Sequence, residues 1–173
     1  MVKRKRHGRP YKTLSLVLAG LLGLVYALYR QPAPPSAHLE LPVGTIIAVA
    51  DGDTMTWRGN GEEQKLRLNG IDAPEKDQPW GPQAKDFATK ALLNKTVAVK
   101  AHDRDRYGRV VAEIYLADGS SFNLLMVENG LAWWYRQYAK DRLDLKAAEA
   151  RASDKRLGLW RDWEPIPPWE WRQ

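Results

Sequence analysis

The fold of this chain is most constrained by a series of short strand-like segments separated by turn signals. Segment 43–50 is rich in β-branched residues and ends at Asp51-Gly52, a residue pair typical of hairpin turns. In the third segment, Leu66 and Leu68 alternate with charged residues, which is the period of a strand with one buried face. Five strands are predicted in this way, at 43–50, 54–58, 64–68, 96–101 and 110–116.

Helical patterns lie between and after these strands. The charge and alanine content of 82–93 predicts a helix, and two further helices are predicted at 122–128, ended by Asn129-Gly130, and at 143–156, ended near Gly158. Short strands followed by helices are typical of an α+β domain or of a barrel with appended helices. Residues 162–173, rich in Trp and Pro, are predicted to form an extended tail whose rings pack on the domain.

The N-terminus has a basic cluster followed by an apolar run. Six of the 27 Lys and Arg residues lie within the first dozen positions, and residues 13–29 are uncharged. This arrangement is typical of an export signal or a membrane anchor with its basic end inside. The run is short for a bilayer core of about 30 Å, which needs about 20 residues, yet longer than many signal-peptide cores.

We therefore keep two interpretations of this N-terminal hydrophobic segment. Residues 1–30 are a cleaved signal peptide or a retained anchor, and residues 31–40 are a Pro-rich linker. An anchored domain would lie at the periplasmic face of the inner membrane, whereas cleavage would leave it periplasmic or secreted. Export is expected in both cases.

Charge and cysteine content narrow the possible functions. The formal net charge of +6 favours an anionic partner, either a nucleic acid or an acidic membrane surface, although much of the excess lies in the leader. The chain has no cysteine, which excludes disulfides, thiolate zinc sites and a cysteine nucleophile. Oxygen or imidazole ligands would therefore have to bind any metal.

Three segments bring acids and arginines together: 51–54 (DGDT), 67–75 (RLNGIDAPE) and 105–109 (DRYGR). Each one alone has a structural explanation, as a hairpin turn, a Pro-containing loop or a basic turn. Their order along the chain resembles the staphylococcal nuclease family, and the similarity extends from Val43 to Trp160. The resemblance implies a five-stranded OB-fold type β-barrel with about three helices over residues 41–161, and hydrolysis of DNA or RNA.

The resemblance also implies a calcium site. Asp53 and Asp72 match two carboxylate ligands of the family, and the backbone carbonyl of Ala73 matches a third ligand. Hard oxygen ligands with open positions suit Ca²⁺, whose shell of six to eight oxygens can be completed by water and phosphate.

The catalytic residues implied by the resemblance are Arg67, Glu75 and Arg109. Glu75 matches the glutamate that positions or deprotonates the attacking water, and the two arginines match those that bind the scissile phosphate. Two guanidiniums and a divalent cation suit a transition state in which negative charge accumulates on the phosphate oxygens. The family products carry 3′-phosphates.

Substrate binding is implied for Arg106, Tyr107 and Tyr138. The sequence departs from the family at Arg136, which stands where the family has a second pocket tyrosine; a guanidinium can also stack on a base. No obligate protein partner is predicted, and the membrane is a partner only if the N-terminal segment is retained.

Two alternatives to a nuclease stay open. The same fold serves as a non-catalytic nucleic-acid-binding module when the acids are lost, and the chain could instead be a membrane-tethered interaction protein with the Trp-rich tail as its contact surface. The presence of the acids and of both arginines favours the enzyme. The preference for DNA or RNA and the mode of cleavage stay open.

Overall fold

Five strands close into a barrel in the computed structural model, which describes residues 41–173. The predicted leader and linker, residues 1–40, lie outside the described residues. Seven strands are present in the described part: β1 (Val43–Val49), β2 (Thr54–Gly59), β3 (Glu62–Leu68), β4 (Ile71–Asp72), β5 (Thr96–Arg104), β6 (Val110–Tyr115) and β7 (Trp133–Trp134). The helices of this part are α1 (Gly81–Leu92), α2 (Phe122–Glu128), α3 (Leu143–Asp154), a 3₁₀ helix (Gly158–Arg161) and α4 (Pro168–Trp171).

The barrel has the strand order β1-β2-β3-β6-β5, and β5 closes it by pairing with β1. All of these pairs are antiparallel except β3 with β6, which is parallel. In that parallel pair Arg67 of β3 lies opposite Val111 of β6. Since β6 begins directly after Arg109, the two predicted catalytic arginines belong to neighbouring parts of the barrel. The predicted α+β class and five-stranded OB-type barrel are confirmed.

The barrel interior is filled by alternate residues of its strands, as the period-two pattern predicts. In β3, Leu66 and Leu68 are buried while Arg67 between them is only partly buried on the opposite face. The largest fully buried side chains of the barrel strands are Ile46, Met55, Leu66, Leu68, Val97 and Ile114. The three longer helices bury one face each against this core, with Ala84, Phe122 and Leu145 fully buried.

The structure corrects two details of the predicted strands. The two-residue strands β4 and β7, which pair with each other, have no counterpart among the predicted strands. Strand β5 runs on to Arg104, beyond the predicted end at 101, because a shift in register after Ala101 lets the pairing with β6 continue. A strand of two residues is set by its tertiary partner rather than by a local pattern.

The C-terminal tail was predicted to be extended, and this was wrong. It contains one short helix, α4, whose first residue is Pro168; proline is favoured there because its fixed φ suits a helix and no N–H is needed. The predicted packing of its rings is confirmed for Trp169, which stacks on Tyr135 with 5.2 Å between the ring centroids, but not for Trp163, which is 87% exposed. No helix within residues 41–173 combines the length and the hydrophobicity that a bilayer span requires.

The buried side chain of Asn123 joins α2 to the barrel. Its Oδ1 accepts a hydrogen bond from the Ile114 N–H at 3.1 Å, and its Nδ2 donates to the carbonyls of Asn69 and Ala112 at 3.0 and 3.1 Å. The residue is 0% exposed, so no water replaces these partners when they are lost.

We expect Asn123→Leu to lower the free energy of unfolding by about 2–4 kcal/mol, because each buried backbone group left without a partner costs about 1–3 kcal/mol. Urea denaturation followed by tryptophan fluorescence measures this change. The control is Asn129→Ala, which removes one exposed hydrogen bond to the Leu125 carbonyl and should cost less than about 1.5 kcal/mol. Equal losses in the two variants would contradict the role given to Asn123.

Candidate active site

A cleft of about 770 Å³ opens beside the barrel where the turn after β1, the loop after β3 and the loop before β6 meet. Its volume is that of a site for a drug-sized ligand. Eight of the nine predicted site residues line it: Asp53, Arg67, Ala73, Glu75, Arg106, Tyr107, Arg109 and Tyr138. The ninth, Asp72, contacts the cleft through its ion pair with Arg67.

The hairpin turn 51–54 fixes the first aspartate. The Asp51 carboxylate accepts a hydrogen bond from the Asp53 N–H at 3.1 Å, which directs the chain so that Asp53 is 4% exposed. Its Oδ2 then accepts from the Ala73 N–H at 2.7 Å, joining the turn to the loop after β3. Gly52 is required for this contact, because an added Cβ would lie 2.8 Å from the Ala73 Cβ.

Arg67 pairs with both predicted metal-binding aspartates. Its Nη2 lies 2.6 Å from Asp72 Oδ1, and its Nη1 contacts Asp53 Oδ1. Burial lowers the pKa of Arg67 below its usual value and the pairing with Asp72 opposes that shift; arginine nevertheless keeps its proton in proteins. One guanidinium therefore holds the carboxylates of Asp53 and Asp72 close together beside the cleft.

The donor set of this place fits a hard divalent cation. Asp53 and Asp72 supply two nearly buried carboxylates, and within residues 41–173 no cluster of three or more His, Cys, Asp or Glu side chains could hold a metal alone. Any further ligand would be an oxygen of another kind, such as the Ala73 carbonyl implied by the family resemblance, and Ca²⁺ accepts mixed carboxylate and carbonyl oxygens.

The loop before β6 is ordered around the Asp105 carboxylate. Oδ1 accepts from the N–H groups of Tyr107 and Arg109 at 2.9 and 3.0 Å, and Oδ2 accepts from Arg109 Nε at 2.7 Å. Burial alone would raise the pKa of Asp105, but these hydrogen bonds lower it. Arg109 Nη1 lies 3.4 Å from Thr54 Oγ1, so the loop holds this second arginine next to the hairpin turn.

The Glu75 carboxylate lies at the rim of the same cleft, with its side chain 34% exposed. Its Oε1 is 2.5 Å from Nη1 of Arg172, a residue that the sequence analysis missed. Arg172 Nη2 also lies 2.8 Å from Asp72 Oδ2. Burial opposes but does not outweigh these contacts, which raise the pKa of Arg172 above its usual value. No motif in the sequence connects the tail to acids about a hundred positions earlier.

The predicted substrate-binding residues lie at the outer edge of the cleft. Tyr107 and Tyr138 are each 70% exposed, and the guanidinium of Arg106 lies over the Tyr107 ring at 5.0 Å from its centroid. Arg136, by contrast, is not among the residues of the cleft wall. Its guanidinium lies over the Trp134 ring, 5.6 Å from the ring centroid.

The closed five-stranded barrel with one parallel strand pair is of the OB type, and acids and arginines from three of its segments converge in one open cleft. Residues 65–162 match the sequence model of a family described as "Staphylococcal nuclease homologue". The chain belongs to the staphylococcal nuclease family, as its three motifs indicated.

Curated relatives agree with this assignment. The chain is 40% identical over 129 residues to an "Uncharacterized endonuclease" of Escherichia coli. This alignment covers 75% of the chain and 84% of the relative. It is 33% identical over 139 residues to "Micrococcal nuclease" of Shigella flexneri, with 75% and 80% covered. Over 109 residues it is 42% identical to "Staphylococcal-like nuclease CAN1" of Arabidopsis thaliana, with 63% and 33% covered. These relatives support a nuclease function and a nucleic-acid substrate.

Proposed function

We propose that this protein is a calcium-dependent nuclease that hydrolyses phosphodiester bonds of DNA or RNA and leaves 3′-phosphate products. One observation carries the proposal: a single cleft brings together two buried aspartates, an accessible glutamate and two arginines of the family motifs. These five side chains, which come from three separate segments, are Asp53, Asp72, Glu75, Arg67 and Arg109.

Glu75 has the position that general-base chemistry requires. Its carboxylate is partly exposed and lies on the loop that also carries Asp72 and Ala73, so it can accept a proton from water next to the aspartates. Calcium, when bound by Asp53, Asp72 and the Ala73 carbonyl, would act as a Lewis acid on the phosphate.

The two arginines stabilise the charge that develops on the phosphate. Arg67 is fixed by the aspartates and Arg109 by Asp105, so neither guanidinium needs to reorganise when the reaction begins. Preorganised donors of this kind contribute more than mobile ones because their ordering precedes the reaction. Each guanidinium has five N–H donors, so those that the carboxylates do not use can bind phosphate oxygens.

The alternatives, a non-catalytic binding module and a membrane-tethered interaction protein, require no converging acids. The hydrogen bonds and ion pairs that direct Asp53 and Asp72 to one place support a catalytic site over a plain binding surface. The relatives named as nucleases support the same choice.

We expect Glu75→Gln, Arg67→Lys and Arg109→Lys each to lower kcat at least about 10²-fold, the scale for loss of a positioned base or of a charge-stabilising donor. Affinity for single-stranded DNA should fall much less, because other basic residues of the cleft remain. Arg58→Lys, which changes an exposed ion pair with Glu63, is the control and should leave kcat unchanged. A near-wild-type rate in the Glu75, Arg67 or Arg109 variant would remove the substituted residue from the mechanism.

Asp53→Asn and Asp72→Asn should weaken calcium affinity, because each removes one of two ligand charges, and should lower activity most at low calcium. Isothermal titration with Ca²⁺ measures the affinity, and Asp154→Asn on the exposed end of α3 is the control. Full activity in a chelator, or equal rates with Mg²⁺ and Ca²⁺ at matched occupancy, would contradict the proposed ligand set.

We also propose that the domain is exported, on the basis of the basic cluster and the apolar run at the N-terminus. A C-terminal reporter that is active only in the cytoplasm should give no signal when fused to the full chain. Full reporter activity would contradict export. N-terminal sequencing of the exported protein then distinguishes a cleaved signal from a retained anchor.

A further inference from the structure

The side chain of the proposed general base is bound by the C-terminal tail. Nη1 of Arg172 lies 2.5 Å from Glu75 Oε1, and Nη2 of the same guanidinium lies 2.8 Å from Asp72 Oδ2. The aspartate is 1% exposed and is itself fixed by Arg67. Arg172 thus joins the partly exposed carboxylate of Glu75 to a buried, ion-paired carboxylate of the same site.

The backbone of Glu75 is joined to the tail as well. The side chain of Gln78, 3% exposed, accepts a hydrogen bond from the Glu75 N–H at 3.0 Å and donates to the Ile166 carbonyl at 2.5 Å. Gly81 packs against the other side of this loop, where an added Cβ would lie 1.8 Å from the Glu75 carbonyl oxygen. Both the main chain and the side chain of Glu75 are therefore held.

The tail that carries Arg172 is anchored by its aromatic and proline residues. Trp169 stacks on Tyr135 with parallel rings, and its edge meets the Trp133 ring at 6.5 Å between centroids. Pro168 is buried. Arg172 directly follows this helical turn, so the packing of the turn places its guanidinium next to the cleft.

We propose that the C-terminal segment is part of the active site and that Arg172 is a positioning residue, which fixes the Glu75 carboxylate beside the two aspartates. The inference rests on the proposed nuclease function. A carboxylate on a partly exposed side chain samples several rotamers, and only one of them directs it at a water next to the phosphate. A carboxylate has about four lone-pair sites, so the Asp72 and Glu75 oxygens can accept these bonds and still bind another ligand.

The first test is Arg172→Gln in the full chain at saturating calcium. We expect kcat to fall about 10- to 100-fold, because misplacement of a reacting group by about 1 Å can cost 10²-fold. KM should change by less than about threefold. The affinity for a labelled single-stranded DNA, measured in a chelator so that no turnover occurs, should also change by less than about threefold. Arg172→Lys, which keeps the charge, should recover part of kcat.

A double variant tests whether Arg172 acts through Glu75. If it does, Arg172→Gln combined with Glu75→Gln should be no slower than Glu75→Gln alone, because residues that act as a unit are not additive. A purely structural effect would multiply the two losses. Arg151→Gln, which removes an exposed arginine from a single ion pair with Glu128, is the matched control and should leave kcat and melting temperature unchanged.

Besides multiplied losses in the double variant, two results would overturn the inference. One is an unchanged kcat for Arg172→Gln when the wild-type protein cleaves DNA. The other is a higher kcat together with tighter Ca²⁺ binding by calorimetric titration, which would show that Arg172 competes with the cation and holds the site inactive. Absence of cleavage by the wild-type chain at any calcium concentration is a different result, because it would overturn the nuclease proposal itself and the inference with it.

Discussion

The pairing of Arg67 with Asp53 and Asp72 is the interaction on which the site depends. It joins the turn before β2, strand β3 and strand β4 through one guanidinium. Nearly buried charges are stable only when they are paired, since a carboxylate left without a partner in such surroundings is strongly destabilising. The barrel can therefore bury two acids at its rim because an arginine on the outward face of β3 lies between them.

The parallel pairing of β3 with β6 determines where the second arginine lies. A purely antiparallel meander would place neighbouring segments of the chain side by side, whereas this pair joins β3 to a strand from much later in the sequence. The loop before β6 consequently meets the hairpin turn after β1, and Asp105 orients Arg109 toward Thr54. Arginines from separate segments thus face one cleft, where each is offset by its own carboxylate partner.

The sequence predicted the strands and turns that are stabilised by residues close together in the chain. Alternating leucines on β3 and the hairpin turn at Asp51-Gly52 each depend on neighbouring residues, so the strands could be placed to within a few positions. The barrel and the eight residues of the cleft wall followed from the family resemblance rather than from periodicity. The strand pair β4–β7 and the helical turn α4 escaped prediction because distant partners stabilise them. Arg172 escaped for the same reason, as nothing near it in sequence is acidic except Glu170.

The site is consequently assembled from parts of the chain that meet only when the fold is complete. The motif acids and arginines come from the barrel, while the contacts of Glu75 come from Gln78 and the tail. Each carboxylate is met by a guanidinium, so the groups that would act on a phosphate are ordered before it arrives. Trp169 of the tail belongs to this arrangement, because its ring stacks on Tyr135 of the cleft wall three residues before Arg172. The C-terminal segment is thus a structural part of the cleft.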